Sequence, residues 1–278
     1  MVMSDLKERI QAVTPYLKSI KRVDGEDWRT YHLPGKPNED RLISVTAVLD
    51  VPTAKTLKNW MKNNSAAKQE KTLKAAGDFG TELHELIRQD CEGNFCIHDA
   101  KLSADMIRCY DGWLKIKKEY NIRPLANELT VYDSYTGVAG TLDCIALCDT
   151  KFGKNIPCIL DFKTGFYSVK SGWQMAAYKR CIEKILGVNN FGMIGISLPR
   201  DASKKCNAFV YEHFDFCYDS FLGALQDFKG LYWSKLQDWS YLKNRLFTPL
   251  CENDLPKPEE LDVEEIRKQH RQLDAKNK

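Results

Sequence analysis

Two acidic residues and a lysine stand close together in the middle of the chain: Asp143, at the end of Gly140-Thr141-Leu142-Asp143, and the triplet Asp161-Phe162-Lys163. Both segments read as strands. Positions i and i+2 of a strand share a face, so Asp161 and Lys163 project together while Phe162 points into the core on the other side. Asp143, in the preceding strand, can face them across the ladder. Two carboxylates and a backbone carbonyl make an all-oxygen site that suits Mg²⁺ or Mn²⁺. A lysine ammonium beside such a site would orient or activate an attacking water, or stabilise a phosphorane-like transition state. An Asp-x-Lys triplet alone reads equally well as an exposed strand pair. Here it closes the apolar run 157–160 and precedes Thr164-Gly165. Charges at the end of a buried strand need a purpose or a partner.

Further short motifs stand in order around this core: Ser44-Val45-Thr46, then Gly80-Thr81-Glu82-Leu83-His84, and Gln174-Met175-Ala176-Ala177-Tyr178 after it. Together they resemble the PD-(D/E)xK nuclease superfamily, and within it the RecB-type exonuclease branch that includes the mitochondrial genome maintenance exonuclease. The resemblance spans about residues 44–178, roughly half the chain. It implies that Asp143 and Asp161 are metal ligands, with the carbonyl of Phe162 as a further one and His84 approaching the metal from a helix. It also implies that Lys163 is the catalytic lysine and that Glu128 is the extra acidic residue, orienting a metal-bound water. Gln174 and Tyr178, four apart on one helical face, would shape the site and hold the DNA backbone. The implied cofactor is Mg²⁺ or Mn²⁺, as two ions. Some relatives carry an iron–sulfur cluster on four cysteines, but this chain has no C-x-x-C spacing, so no cluster is expected. No P-loop occurs either, so no helicase or ATPase is fused within these residues.

A Lys-rich segment precedes the site. Residues 54–75 carry six lysines against Glu70 alone, a larger excess than the net charge of +3 for the whole chain. Such a surface binds phosphates without reading sequence; its bland alternative is a solvated helical face. Lys55, Lys58 and Lys62 line one stripe, and Trp60 or Tyr178 could stack on bases, as aromatics do in single-strand channels. Ser44, Thr46 and Thr81 are secondary candidates for phosphate contact, with local hydrogen bonding as the alternative.

The surrounding pattern predicts the elements that must position these residues. Helices are expected over 5–20, 54–75 (broken near Asn63-Asn64-Ser65), 78–92, 102–120, 171–187 and 218–240. A hairpin is expected over 27–49, and strands over 127–133, 138–149, 157–164, 191–198 and 207–214. The three central strands have links too short for a parallel crossover, so they form an antiparallel meander. The fold expected is α/β: a restriction-endonuclease-like core with a mixed central sheet flanked by helices and an added N-terminal helical region. One nuclease domain is expected over 1–250, with a basic helical part (about 1–77), a catalytic core (about 78–215) and a C-terminal helical part (about 216–250), then a charged tail over 251–278.

Composition excludes other classes. The 278 residues are 43% hydrophobic and 28% charged, which excludes collagen-like and largely disordered chains. Ten cysteines are too sparse for a disulfide framework at this length, and Cys144 and Cys148 read as buried packing residues. Cys91, Cys96 and His98 form the one Cys/His cluster, a poor match to a zinc site. The N-terminus has no signal-peptide or transit-peptide character. A cytoplasmic setting in a bacterium or phage-infected host is therefore expected. The function expected is a metal-dependent DNA exonuclease acting on single strands or duplex ends in recombination, repair or processing. The alternatives are a structure-specific endonuclease and a non-catalytic DNA-binding member of a recombination complex.

Overall fold

The computed structural model describes residues 3–36, 40–50, 62–94, 102–165 and 167–236. The chain is α/β, with an eight-stranded mixed sheet flanked by helices. Helix α1 (Met3–Ser19) leads to strands β1 (Lys21–Asp24), β2 (Arg29–His32) and β3 (Leu42–Ser44), then to the short helix α2 (Val45–Asp50). Helices α3 (Ala66–Cys91) and α4 (Ala104–Glu119) precede the long strands β4 (Arg123–Asp133), β5 (Val138–Thr150) and β6 (Gly153–Lys163). Helix α5 (Val169–Leu186), strands β7 (Gly192–Ser197) and β8 (Asn207–Tyr211), and helices α6 (Phe214–Leu231) and α7 (Trp233–Leu236) complete it.

The expected meander forms: β4, β5 and β6 pair antiparallel in succession. Parallel pairing enters twice, between β3 and β5 and between β6 and β7. Crossover connections make both possible, and α5 is the crossover between β6 and β7. That helix is cleanly bounded. Ser168 is its N-cap residue, with its amide donating to Ser171 Oγ at 3.4 Å, and Gly187 ends it in the left-handed conformation that glycine adopts without strain.

The sheet separates two cores. On one face α1, α2, α5 and α6 pack, with Ile10, Val48, Met175, Ile182 and Phe221 fully buried. On the other, α3 and α4 pack through Leu83, Ile87, Met106 and Trp113 onto Cys144, Leu160 and Phe162. The described cysteines are free thiols, most of them buried. No described helix is long and apolar enough to cross a membrane.

Three features differ from the sequence reading. The expected hairpin over 27–49 is smaller: β2 pairs with β3, but residues 45–50 turn helical, because Val45, Val48 and Leu49 bury one helical face instead of alternating. Strand β1 was not anticipated; all four of its residues are exposed, so it carries no apolar signal. The helices expected over 54–75 and 78–92 share one continuous helix, α3, through Gly77 and Gly80. The expected boundary at residue 77/78 therefore falls inside a helix, and the N-terminal part contributes three strands to the sheet as well as helices. Residues 51–61, with Lys55, Lys58 and Trp60, and residues 237–278, with the charged tail, lie outside the described residues, as do Cys96 and His98.

An ion pair between a buried carboxylate and an exposed lysine ties the meander to α5. Asp133, 5% exposed, accepts from Lys184 Nζ (2.8 Å), the Thr136 hydroxyl (2.9 Å) and the Tyr135 amide (3.0 Å). Burial pushes its carboxyl up, but the Lys184 contact and the two other donors outweigh this and hold it below its ordinary value. A depressed carboxylate pKa contributes stability that is present above the unfolded value, about 3.9, and lost as pH falls through the folded one. Asp133→Asn is expected to cost about 1–3 kcal/mol at pH 7. The gap between variant and wild type should close below about pH 4, as measured by urea denaturation across pH.

Candidate active site

The site lies where the sheet forks. Along one edge of β5 the neighbour changes: Val138 and Ala139 pair with β3, whereas β6 is joined only from the Cys144–Leu160 pair onward. Past Leu160, the last residues of β6 keep β7 on one side but lose β5 on the other. The peptide groups of Phe162 face that gap, and a buried N–H or C=O must find a partner. Side chains supply both. The Phe162 amide donates to Asp143 Oδ2 at 2.7 Å, and His84 Nε2 donates to the Phe162 carbonyl at 3.0 Å.

These two bonds orient the site. With its proton on Nε2, His84 presents the lone pair of Nδ1, which faces Asp143 Oδ1 at 3.7 Å. That is too long for a hydrogen bond, yet it suits two ligands sharing one cation. Glu128 completes the group: one ligand atom from each of His84, Glu128 and Asp143 lie within 4.8 Å of one another. Among the described residues this is the one such cluster of three. A histidine whose other nitrogen donates to a backbone carbonyl is the usual second-shell arrangement of a metal ligand. One imidazole and two carboxylates suit Mn²⁺ in particular, because Mg²⁺ prefers oxygen.

Glu128 reaches the cluster through strained backbone. Its φ is +51°, and the β4–β5 register pairs Asn127 and Leu129 on either side of it without pairing Glu128 itself. A non-glycine residue there costs about 1 kcal/mol. Such strain persists only where the surrounding structure enforces it, and here ladder pairs on both sides do so. Partial desolvation, with the Asp143 charge next, pushes the Glu128 carboxyl up against the opposing pull of His84 and Arg88. A cation would relieve that crowding.

The second half of the site lies on the opposite face of β6. Lys163 Nζ donates to Asp161 Oδ1 at 2.9 Å and approaches Gln174 Oε1 at 3.4 Å. Gln174 Nε2 donates to Asp161 Oδ1 and to the Tyr178 hydroxyl, both at 3.3 Å. Burial alone would lower the Lys163 ammonium; Asp161 and Asp143 outweigh it and hold its pKa above the ordinary lysine value. Lys163 is therefore a charged donor at neutral pH. It shares a cleft of about 740 Å³ with His84, Glu128 and Thr81. Arg22 and Arg88 also line the cleft.

The structure brings together His84, Glu128, Asp143, Asp161, Lys163 and Gln174, and gives the expected residues the following surroundings. The Phe162 carbonyl is engaged by His84. Asp161 stands outside the three-ligand cluster, and Glu128 takes a place within it. Tyr178 is 3% exposed, with its ring over Gly140, where a Cβ would lie 2.5 Å from Cε1. It is too deeply buried to stack on bases or hold a DNA backbone. Ser44 is buried and its hydroxyl pairs with Thr46 at 2.8 Å, so it does not contact phosphate. Thr46 lines a different pocket, where Asp24, Asp27 and Asp50 outnumber Arg29 and the acidic balance disfavours phosphate. Thr81 faces the cleft but bonds back to the Gly77 carbonyl at 3.0 Å. Lys62 is exposed and does not line the cleft. Three of the residues that form the site escaped the sequence reading: Arg22, on the unanticipated β1, Arg88, on α3, and Tyr167, whose hydroxyl donates to Asp161 Oδ2 at 2.9 Å from a loop with no periodic signal.

A scan against protein-family models finds no match, and neither does a search of curated proteins.

The strain at Glu128 gives a two-sided expectation. Glu128→Gly should raise stability by about 0.5–1 kcal/mol, seen as a higher urea midpoint at unchanged m-value. The same change should weaken Mn²⁺ binding at least about tenfold by calorimetry. Unchanged Mn²⁺ affinity would remove Glu128 from the ligand set.

Proposed function

We propose that the protein is a divalent-metal-dependent deoxyribonuclease with a restriction-endonuclease-like core of the PD-(D/E)xK type, acting as an exonuclease on single-stranded DNA or duplex ends. The observation that carries this reading is the convergence of His84, Glu128 and Asp143 on one point, at a cleft that His84, Glu128 and Lys163 line together. Three ligands of that chemistry suit a hydrolytic Mn²⁺ or Mg²⁺ centre, and a fixed cation beside it suits a phosphodiester. The sequence order of the motifs agrees.

A bound cation in such a centre supplies Lewis acidity and a more acidic water. The protein's own residues account for the rest. Asp143 and His84 are held by the Phe162 peptide, so they need little reorganisation. Glu128 lines the cleft and would complete the ligand set with them. Lys163, anchored by Asp161 and Gln174, donates to the charge that grows on the phosphoryl oxygens. Arg22 and Arg88 stand in the cleft wall, paired with Asp24 and with Glu85 and Glu92 respectively, and could exchange those partners for a phosphate backbone.

End-labelled single-stranded DNA incubated with Mn²⁺ or Mg²⁺ should be degraded, faster with Mn²⁺, and closed circular single strands should survive. Lys163→Ala should lower kcat about 100-fold or more with little change in DNA affinity. Cleavage of the circle would instead favour an endonuclease. Full activity in chelator, or in the Lys163 variant, would overturn the mechanism, and binding without turnover would leave a DNA-binding protein.

A further inference from the structure

Asp161 is the acidic residue that an Asp-x-Lys pattern assigns to metal, yet its carboxylate is engaged on three sides. Oδ1 accepts from Lys163 Nζ and from Gln174 Nε2, and Oδ2 accepts from the Tyr167 hydroxyl at 2.9 Å. The side chain is 4% exposed. An ionised carboxylate has about four lone-pair sites, so three of them are taken by donors of the protein itself.

The Tyr167 contact is built into the fold. Its ring lies over Gly195 of β7, where a Cβ would fall 2.0 Å from Cζ, so no other residue fits there without displacing the ring. The ring also stacks on Phe209 of β8, with centroids 5.6 Å apart and planes at 28°, and leans on Tyr211 at 5.7 Å. A glycine inside a strand weakens it. Two strands thus shape a seat for one hydroxyl, and that hydroxyl is aimed at Asp161. By contrast Asp143 Oδ1 and His84 Nδ1 face each other at 3.7 Å, without a hydrogen bond between them.

We propose that Tyr167 is a positioning residue that locks Asp161 onto Lys163, so that the cleft takes one divalent cation, on His84, Glu128 and Asp143, and Asp161 ligates none. This rests on the nuclease reading above and departs from the two-ion arrangement that the resemblance implies. Asp161 then serves to keep the lysine charged and fixed in place.

The test counts ions. Mn²⁺ binding to the full chain is measured by calorimetry and by electron paramagnetic resonance, with and without a phosphorothioate single-stranded oligonucleotide that resists cleavage. Wild type should bind one Mn²⁺ in both conditions. Asp161→Asn should keep that stoichiometry and lose less than about tenfold in affinity, whereas Asp143→Asn should lose far more. Tyr167→Phe frees Oδ2 and should gain a second, weaker Mn²⁺ that the Y167F/D161N double variant lacks. Two ions in wild type, a loss of about tenfold or more in Asp161→Asn, or no second ion in a folded Tyr167→Phe would each overturn the proposal. No Mn²⁺ at all in wild type would refute the nuclease reading itself, a separate outcome. The wild-type count and the Asp161 variant decide the matter even if Tyr167→Phe fails to fold.

Discussion

The peptide groups of Phe162 must find hydrogen-bond partners where β6 outlives its pairing with β5, and the candidate site is the answer to that demand. An unpaired buried amide or carbonyl costs about 1–3 kcal/mol. Asp143 takes the amide and His84 takes the carbonyl. Each bond also sets what the side chain has left over. Asp143 keeps Oδ1 for another use, and His84, donating through Nε2, keeps Nδ1 for another. Removing either residue would therefore do two things at once, opening the strand end and breaking up the cluster with Glu128. Stability and site geometry are coupled at this one dipeptide unit.

Glu128 shows the opposing tendency. It is placed in left-handed backbone, close to a second carboxylate, and neither choice favours the folded state. The β4–β5 pairs on both sides hold it there. A local conflict with backbone preference, retained inside a regular ladder, marks a position where something other than folding sets the residue. The fork makes the conflict bearable, because β5 is already irregular on its other edge at the same level.

Much of this was legible in the chain. The meander could be read from short links, α5 from its 3.6-residue period and its terminal Gly187, and the core of the site from Asp143, Asp161, Lys163 and His84 in order. What could not be read depended on contacts distant in sequence. The fork arises because β3, a hundred residues upstream, takes one end of β5, and no local pattern announces a change of partner. Strand β1 is exposed throughout, so the alternation that identifies strands is missing. The helices expected over 54–75 and 78–92 leave a gap around Gly77, but Phe79, Leu83 and Ile87 bury one face of α3 through that stretch, and packing outweighs a propensity cost of about 1 kcal/mol per glycine. Tyr167 sits in a loop, and only its seat on Gly195 and Phe209 reveals its aim.

The same geometry explains why neighbouring residues of one short motif separate in role. Asp161 and Lys163 share the face of β6 that packs toward α5, whereas Phe162 faces α3 and lies edge-on to His84, with ring centroids 5.8 Å apart. A histidine borne on α3 approaches from the Phe162 side. From there it meets Asp143 and Glu128 across the fork, not Asp161 behind the strand. The peptide plane at the strand end joins the two faces, and the charge of Asp143 acts on Asp161 and Lys163 as well. Lys163 is the last residue of β6, where a long side chain can reach past that plane into the cleft. Asp161, one turn of the pleat earlier, has no such reach. Its short side chain is confined to the α5 face, and the charge it can most directly govern is the ammonium of Lys163.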